Sequence, residues 1–168
     1  MRPGPNQTTS LAAGDISLRQ KRKDAITPAE IRDYKRTGCP SVGACTFMGT
    51  ASTMQCMAEA LGLALPGSAL VPATMSELQF FARRAGRTIM ELVRRNIRPI
   101  DILTPQAFRN AIIVHSAIGG STNGLIHLPA IAKELGMELD PELFNEINPK
   151  IPHIGNINPS GKHLTESF

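Results

Sequence analysis

The chain of 168 residues has no tryptophan, one tyrosine and six phenylalanines. An interior built on aromatic stacking is excluded, so Leu, Ile, Ala and the seven methionines have to fill it. No apolar run approaches the ~18 residues of a membrane span, and the N-terminus lacks the apolar segment of a secretory signal. There are three cysteines, Cys39, Cys45 and Cys56, without CxxC spacing. That odd number argues against a disulfide framework, and a reducing, cytoplasmic setting is the expectation. HExxH, GxSxG, P-loop and paired-carboxylate motifs are all missing. No complete active site can therefore be assembled from motifs, and no catalytic residue is assigned.

What is present is a globular composition: 42% of residues are hydrophobic, enough for one domain with a real core. The net charge of +4 is uneven. Residues 1–36 carry eight Lys and Arg against four acids, and the rest of the chain carries ten of each sign. The basic character thus belongs to an N-terminal arm, not to a face of the fold. A basic stripe interleaved with aromatics, as nucleic-acid binding wants, does not occur. No nucleic-acid or membrane partner is expected.

Residues 1–25 read as a flexible basic arm and residues 26–168 as the folded part. Thr27-Pro28 with Glu30 forms a capping box and predicts a helix to about residue 36, with Ile31 and Tyr34 on one face and Gly38 and Pro40 ending it. Thr50–Leu61 reads as a helix with Met54, Met57, Ala58 and Leu61 on one face and Gly62 as its stop. Leu63–Ala73 is a loop or a short buried strand. Thr74 and Glu77 suggest a second capping box, opening the longest helix, to about Arg95. Leu78, Phe81, Ala82, Ala85, Ile89, Leu92 and Val93 form its expected buried stripe, and five arginines form its wet side. Thr104-Pro105 opens a helix to about Ala117. Another runs from about Asn123 to Leu135, and a short one follows Asp140-Pro141. Residues 148–160 read as loop and extended segments.

Two stretches carry chemistry. Thiolates are soft ligands for iron–sulfur clusters, zinc or copper(I), yet three cysteines cannot complete a four-thiolate cluster. Packing is the simpler role, most clearly for Cys56 among Met54, Met57 and Ala58. The second stretch is Gly119-Gly120-Ser121-Thr122-Asn123, ahead of a helix. Its backbone N–H groups and hydroxyls suit an anion such as a carboxylate or phosphate. An ordinary glycine turn with a Ser or Thr cap is the alternative. His127, between Ile126 and Leu128, reads as a core histidine. Glu59 reads as a plain helix residue.

The segment Gly43-Ala44-Cys45-Thr46-Phe47-Met48-Gly49-Thr50-Ala51-Ser52-Thr53-Met54, continuing to Glu59-Ala60-Leu61-Gly62-Leu63-Ala64-Leu65-Pro66-Gly67, resembles the dihydroxy-acid and sugar-acid dehydratase (IlvD/Edd) family. The block from Ile118 through Gly119-Gly120-Ser121-Thr122-Asn123 to Ala132 agrees in order and distance, and so do Ala85-Gly86-Arg87 and Phe108-Arg109-Asn110-Ala111. The resemblance runs from about Ile26 to the C-terminus.

It implies an α/β fold class, represented here by a mostly helical fragment with few short strands. It also implies a hydro-lyase converting a 2,3-dihydroxy acid to a 2-keto acid. The cofactors would be an iron–sulfur cluster ([2Fe-2S] or [4Fe-4S]), acting on the leaving 3-hydroxyl, and Mg2+ at the carboxylate and 2-hydroxyl. The family's third cluster cysteine matches Cys45. Its other two cluster cysteines, a Cys-Asp-Lys block and its catalytic serine lie in segments that this sequence does not show. The chain is therefore expected to be an internal fragment with too few ligands for a stable cluster. Ser121, Thr122 and Asn123 are the candidate substrate-binding residues, Cys45 is the candidate metal ligand, and the intact family is expected to form homodimers or larger assemblies. The wording Thr46–Met54 is closer to sugar-acid members, such as arabinonate or xylonate dehydratases, than to branched-chain ones. A truncated, inactive helical binding or regulatory module is the alternative.

Overall fold

A computed structural model describes residues 26–37 and 42–163. The expected arm, Cys39, the Tyr34 side chain and the Gly38–Pro40 helix stop lie outside the described residues. Among those residues the chain is helical: α1 Pro28–Thr37, α2 Thr50–Ala60, α3 Glu77–Arg94, α4 Pro99–Ile102, α5 Pro105–Ile118, α6 Gly124–Glu134 and α7 Glu142–Ile147. Single 3-10 turns occur at Ser68–Leu70 and Asn148–Lys150. The few short strands expected for an α/β class are not seen among the described residues. Their β pairing is limited to one isolated bridge, Ile157 with His163.

Local chemistry sets most helix starts. The Thr27 N–H donates to Glu30 Oε2 at 2.8 Å while the Glu30 N–H donates to Thr27 Oγ1 at 3.2 Å, a complete capping box. Thr104 Oγ1 accepts from the Ala107 N–H at 3.2 Å, with Pro105 in the first turn of α5. Asp140 Oδ1 accepts from the Glu142 N–H at 2.9 Å and starts α7. The Thr74–Glu77 box does not form. Met75 N–H is already turned back onto Pro72 O at 2.9 Å, so α3 begins two residues later than a Thr74 cap would require, with Ser76 as a cap whose side chain makes no bond. The short helix α4 goes unread in the sequence. Its start is held by Arg98 N–H donating to Asp101 Oδ2 at 2.8 Å.

α5 is the central element. Phe108, Ala111, Ile112 and His115 repeat at helical spacing, and all four are buried. Phe108, Ala111 and Ile112 join Met57 of α2, Leu61 at its C-terminal cap, Leu128 and Ala132 of α6, and Phe144 and Ile147 of α7 in one apolar cluster. Each fully buried large side chain there contributes roughly 1.5–3 kcal/mol over an exposed one. His127 is exposed, not a core histidine. It precedes Leu128 by one residue, about 100° around the helix, so the face that buries Leu128 leaves it in solvent.

α3 departs most from expectation: none of its residues is buried. Leu78 is 41% exposed, Ile89 56% and Val93 66%. Only Phe81, Thr88 and Leu92 are half-covered. The apolar period is real, but no described element packs along it, so the stripe stays in solvent.

Candidate functional site

The loop Val42–Gly49 carries Cys45 to the N-terminus of α2. Thr46 and Met48 are buried on either side of Phe47, while Cys45 is exposed. The Met48 N–H donates to Asn158 O at 2.7 Å, which ties this loop to the C-terminal segment. Thr46 Oγ1 is buried with no hydrogen-bond partner among the described residues, an arrangement costing about 1–3 kcal/mol.

The glycine turn follows α5. Gly119 ends that helix in the left-handed region at φ 63°, where a side chain would be strained and a Cβ would sit 2.7 Å from His153 Nε2. The chain then reverses into α6. Ser121 N–H donates to Oγ1 of the fully buried Thr53 at 2.9 Å. Ser121 Oγ lies 3.3 Å from Thr50 Oγ1, and Asn123 Nδ2 donates to that same Thr50 oxygen at 2.6 Å. The Asn123 N–H reaches Ser121 Oγ at 3.3 Å. The turn is thereby fastened to the first turn of α2, far away in sequence.

The result is a cavity of about 520 Å3 lined by Cys45, Thr50, Gly119, Gly120, Ser121 and Thr122, among others. The structure thus brings the candidate ligand and two of the three candidate binding residues to one place. Asn123 is different: its side chain is committed to Thr50 and does not line the cavity. Helix α2 begins at this cavity, with Thr50 and Ala51 on its wall, and α6 begins two residues after Thr122. The first turn and positive dipole end of α2 favour an anion there, whereas the first-turn N–H groups of α6 already donate to Ser121 O, Thr122 O and Asn123 O.

Cys56 sits one face away, half-buried against the core. Burial first, and the nearby Glu59 charge second, push its thiol above the ordinary range. Glu59 has a role that the sequence did not announce. Its carboxylate accepts from Gly67 N–H at 2.6 Å and Ala69 N–H at 3.0 Å, folding the loop after α2. Thr50, Thr53 and His115 were also missed as site residues. Hydroxyls opposite a glycine turn are invisible until the fold pairs them, and only the nearby i, i+6 spacing of His115 and Ser121 was available as a signal.

A cluster or a magnesium ion asks for more than the described residues bring together. Cys45 is the one thiol on the cavity, no carboxylate lines it, and no group of three or more His, Cys, Asp or Glu converges among the described residues. These residues alone do not fit either group. No helix among them is long and apolar enough to cross a membrane.

Comparison with known proteins gives a consistent result. The profile of the dihydroxy-acid/6-phosphogluconate dehydratase N-terminal family matches residues 1–168. A dihydroxy-acid dehydratase of Halothermothrix orenii is 47% identical over 170 residues, covering 100% of this chain and 31% of the relative. Dihydroxy-acid dehydratases of Thermodesulfovibrio yellowstonii and Moorella thermoacetica are each 48% identical, over 88% and 84% of this chain and 27% and 26% of their own lengths. The chain spans less than a third of the length of these relatives. It belongs to the dihydroxy-acid/6-phosphogluconate dehydratase N-terminal family.

Proposed function

We propose that this chain supplies part of the substrate site of a hydro-lyase that converts a 2,3-dihydroxy acid to a 2-keto acid. The observation that carries this reading is the shared cavity: Cys45 and the Ser121-Thr122 turn, read separately in the sequence as ligand and substrate holder, face the same space. The names of the curated relatives support a dihydroxy acid. The wording of Thr46–Met54 points toward a sugar acid, and a sugar acid is itself a 2,3-dihydroxy acid. The shared substrate feature is a carboxylate next to two vicinal hydroxyls.

The chain's own groups suit that feature. Backbone N–H groups at the start of α2, where Thr50 and Ala51 line the cavity, offer donors to a carboxylate. The hydroxyls of Thr50, Ser121 and Thr122 can donate to or accept from substrate hydroxyls. No Asp, Glu, His, Lys or Tyr side chain lines the cavity, so no described residue there is placed as a general base. The reaction's proton transfer is assigned to groups outside these residues, which would also supply the remaining ligands of the iron–sulfur cluster and those of the Mg2+ that the family resemblance implies; Cys45 would be this chain's one ligand to the cluster. Binding, orientation and that one thiolate are this chain's part. A homodimeric or larger assembly and a cytoplasmic setting go with the same reading.

Glycerate, the simplest 2,3-dihydroxy acid, tests it. Titrated into the 15N-labelled 168-residue chain, it should shift the amides of Thr50, Ala51 and Gly119–Thr122 with millimolar affinity, and propionate should do so far more weakly. Shifts confined to other surfaces, or identical responses to both acids, would contradict the reading.

A further inference from the structure

Ser121 is held from both sides. Its N–H goes to Thr53 on the α2 side. Its carbonyl oxygen lies 2.9 Å from His115 Nε2 on the other. A carbonyl only accepts, so Nε2 carries the proton and His115 is the donor. His115 is 8% exposed and stands edge-on to Phe144, with ring centroids 6.0 Å apart at 86°. Its own carbonyl receives the Gly120 N–H at 2.9 Å.

The turn is moulded on this ring. A Cβ at Gly120 would lie 2.6 Å from His115 Cδ2, and one at Gly124 would lie 2.7 Å from Nε2. Neither position tolerates a side chain while the imidazole is in place. Behind the turn is a second cavity of about 250 Å3, lined by His115, Gly119, Gly120, Thr122, Phe144 and Asn148 among others. The turn is therefore a thin wall between two spaces, and His115 is the group that keeps it from falling back into the rear one.

We propose that His115 is a positioning residue: it holds the Gly120–Asn123 turn forward, so that Ser121 and Thr122 face the cavity shared with Cys45. The ligand in this proposal rests on the dihydroxy-acid reading, whereas the positioning rests on the geometry alone. His115 does not line the front cavity. It acts through the Ser121 carbonyl and the two glycines.

The test uses the full chain carrying His115→Leu, His115→Gln or Gly120→Ala, with two readouts: hydrogen exchange at the Ser121 amide and affinity for glycerate. Leucine fills similar space without a donor, and glutamine restores an N–H at the reach of Nε2. His115→Leu should speed Ser121 exchange and weaken glycerate by at least about tenfold, and His115→Gln should stay within about threefold of the original chain. Gly120→Ala, which pushes the turn off an intact ring, should show the same loss as His115→Leu and decides the matter if the leucine variant fails to fold. The proposal is overturned if the variants lower the unfolding midpoint while the folded protein keeps its Ser121 exchange rate and its glycerate affinity. Should the unsubstituted chain bind no glycerate, the dihydroxy-acid reading falls, and Ser121 exchange alone then upholds or overturns the positioning.

Discussion

At the scale of single residues, Cys45 and Cys56 have the same chemistry in different surroundings. Cys45 is exposed on the loop before α2, while Cys56 is half-buried on the helix itself. Burial, reinforced by Glu59, raises the Cys56 pKa above the ordinary 9.0. Its neutral thiol is favoured in the fold, so this contribution to stability is present below the ordinary thiol range and is lost as pH rises through the raised value. Peptide-resolved alkylation with iodoacetamide at pH 8 should modify Cys45 at least about tenfold faster than Cys56. Comparable rates at the two sites would mean that the burial of Cys56 is wrong. The candidate ligand and turn residues were legible in the sequence because they sit in two recognisable blocks. Thr53, His115 and Glu59 were not, because their roles depend on partners brought together by the fold. Glu59, for example, binds backbone N–H groups eight and ten residues further along, and nothing in its own helix announces that.

At the scale of elements, starts and stops were readable wherever the governing interaction is three or four residues long. The Thr27–Glu30 box and the Thr104-Pro105 start both formed for that reason. Periodicity showed which face of a helix is apolar, but not whether anything covers it. α5 and α3 have comparable apolar stripes, yet one is the centre of the core and the other is bare. The difference has a measurable consequence. Ile112→Ala should cost about 2–5 kcal/mol in urea unfolding of the chain, because Ile112 is wholly buried. Val93→Ala, at 66% exposure, should stay within about 0.5 kcal/mol. A large loss at Val93 would show that α3 is covered in solution. The loop after α2 provides a third case. Glu59→Ala removes two short hydrogen bonds to backbone N–H groups and should cost about 1–2 kcal/mol after allowance for partial solvent exposure. Faster proteolysis within residues 63–71 should accompany it, and an unchanged cleavage rate would separate the carboxylate from the loop's fold.

At the scale of the whole molecule, the helices around α5 form a mount for one face. α2 begins at the cavity and the turn ahead of α6 lines it, the Cys45 loop closes it from one side, and Pro159 of the C-terminal segment, next to the Asn158 carbonyl that holds Met48, closes it from another. That face holds binding groups and a thiol but no described base or carboxylate. The chain spans 31% of the Halothermothrix orenii relative, and the rest of that protein is where the remaining chemistry is to be sought. The family was readable from the two motif blocks because spacing and order survive at 47% identity. The mainly helical character followed from the caps and periods. The expected strands, the uncovered α3 and the tertiary clasp on Ser121 depend on packing, which a single sequence does not display.

The most direct measurement is a chimera in which this chain replaces the matching 170-residue segment of that relative, assayed for 2-keto acid formation from a 2,3-dihydroxy acid. The account predicts keto acid from the chimera, a loss of at least about a thousandfold in kcat with Cys45→Ser, and a raised KM with Ser121→Ala. A folded chimera that forms no keto acid where the parent does, or one that is indifferent to Cys45→Ser, would contradict it.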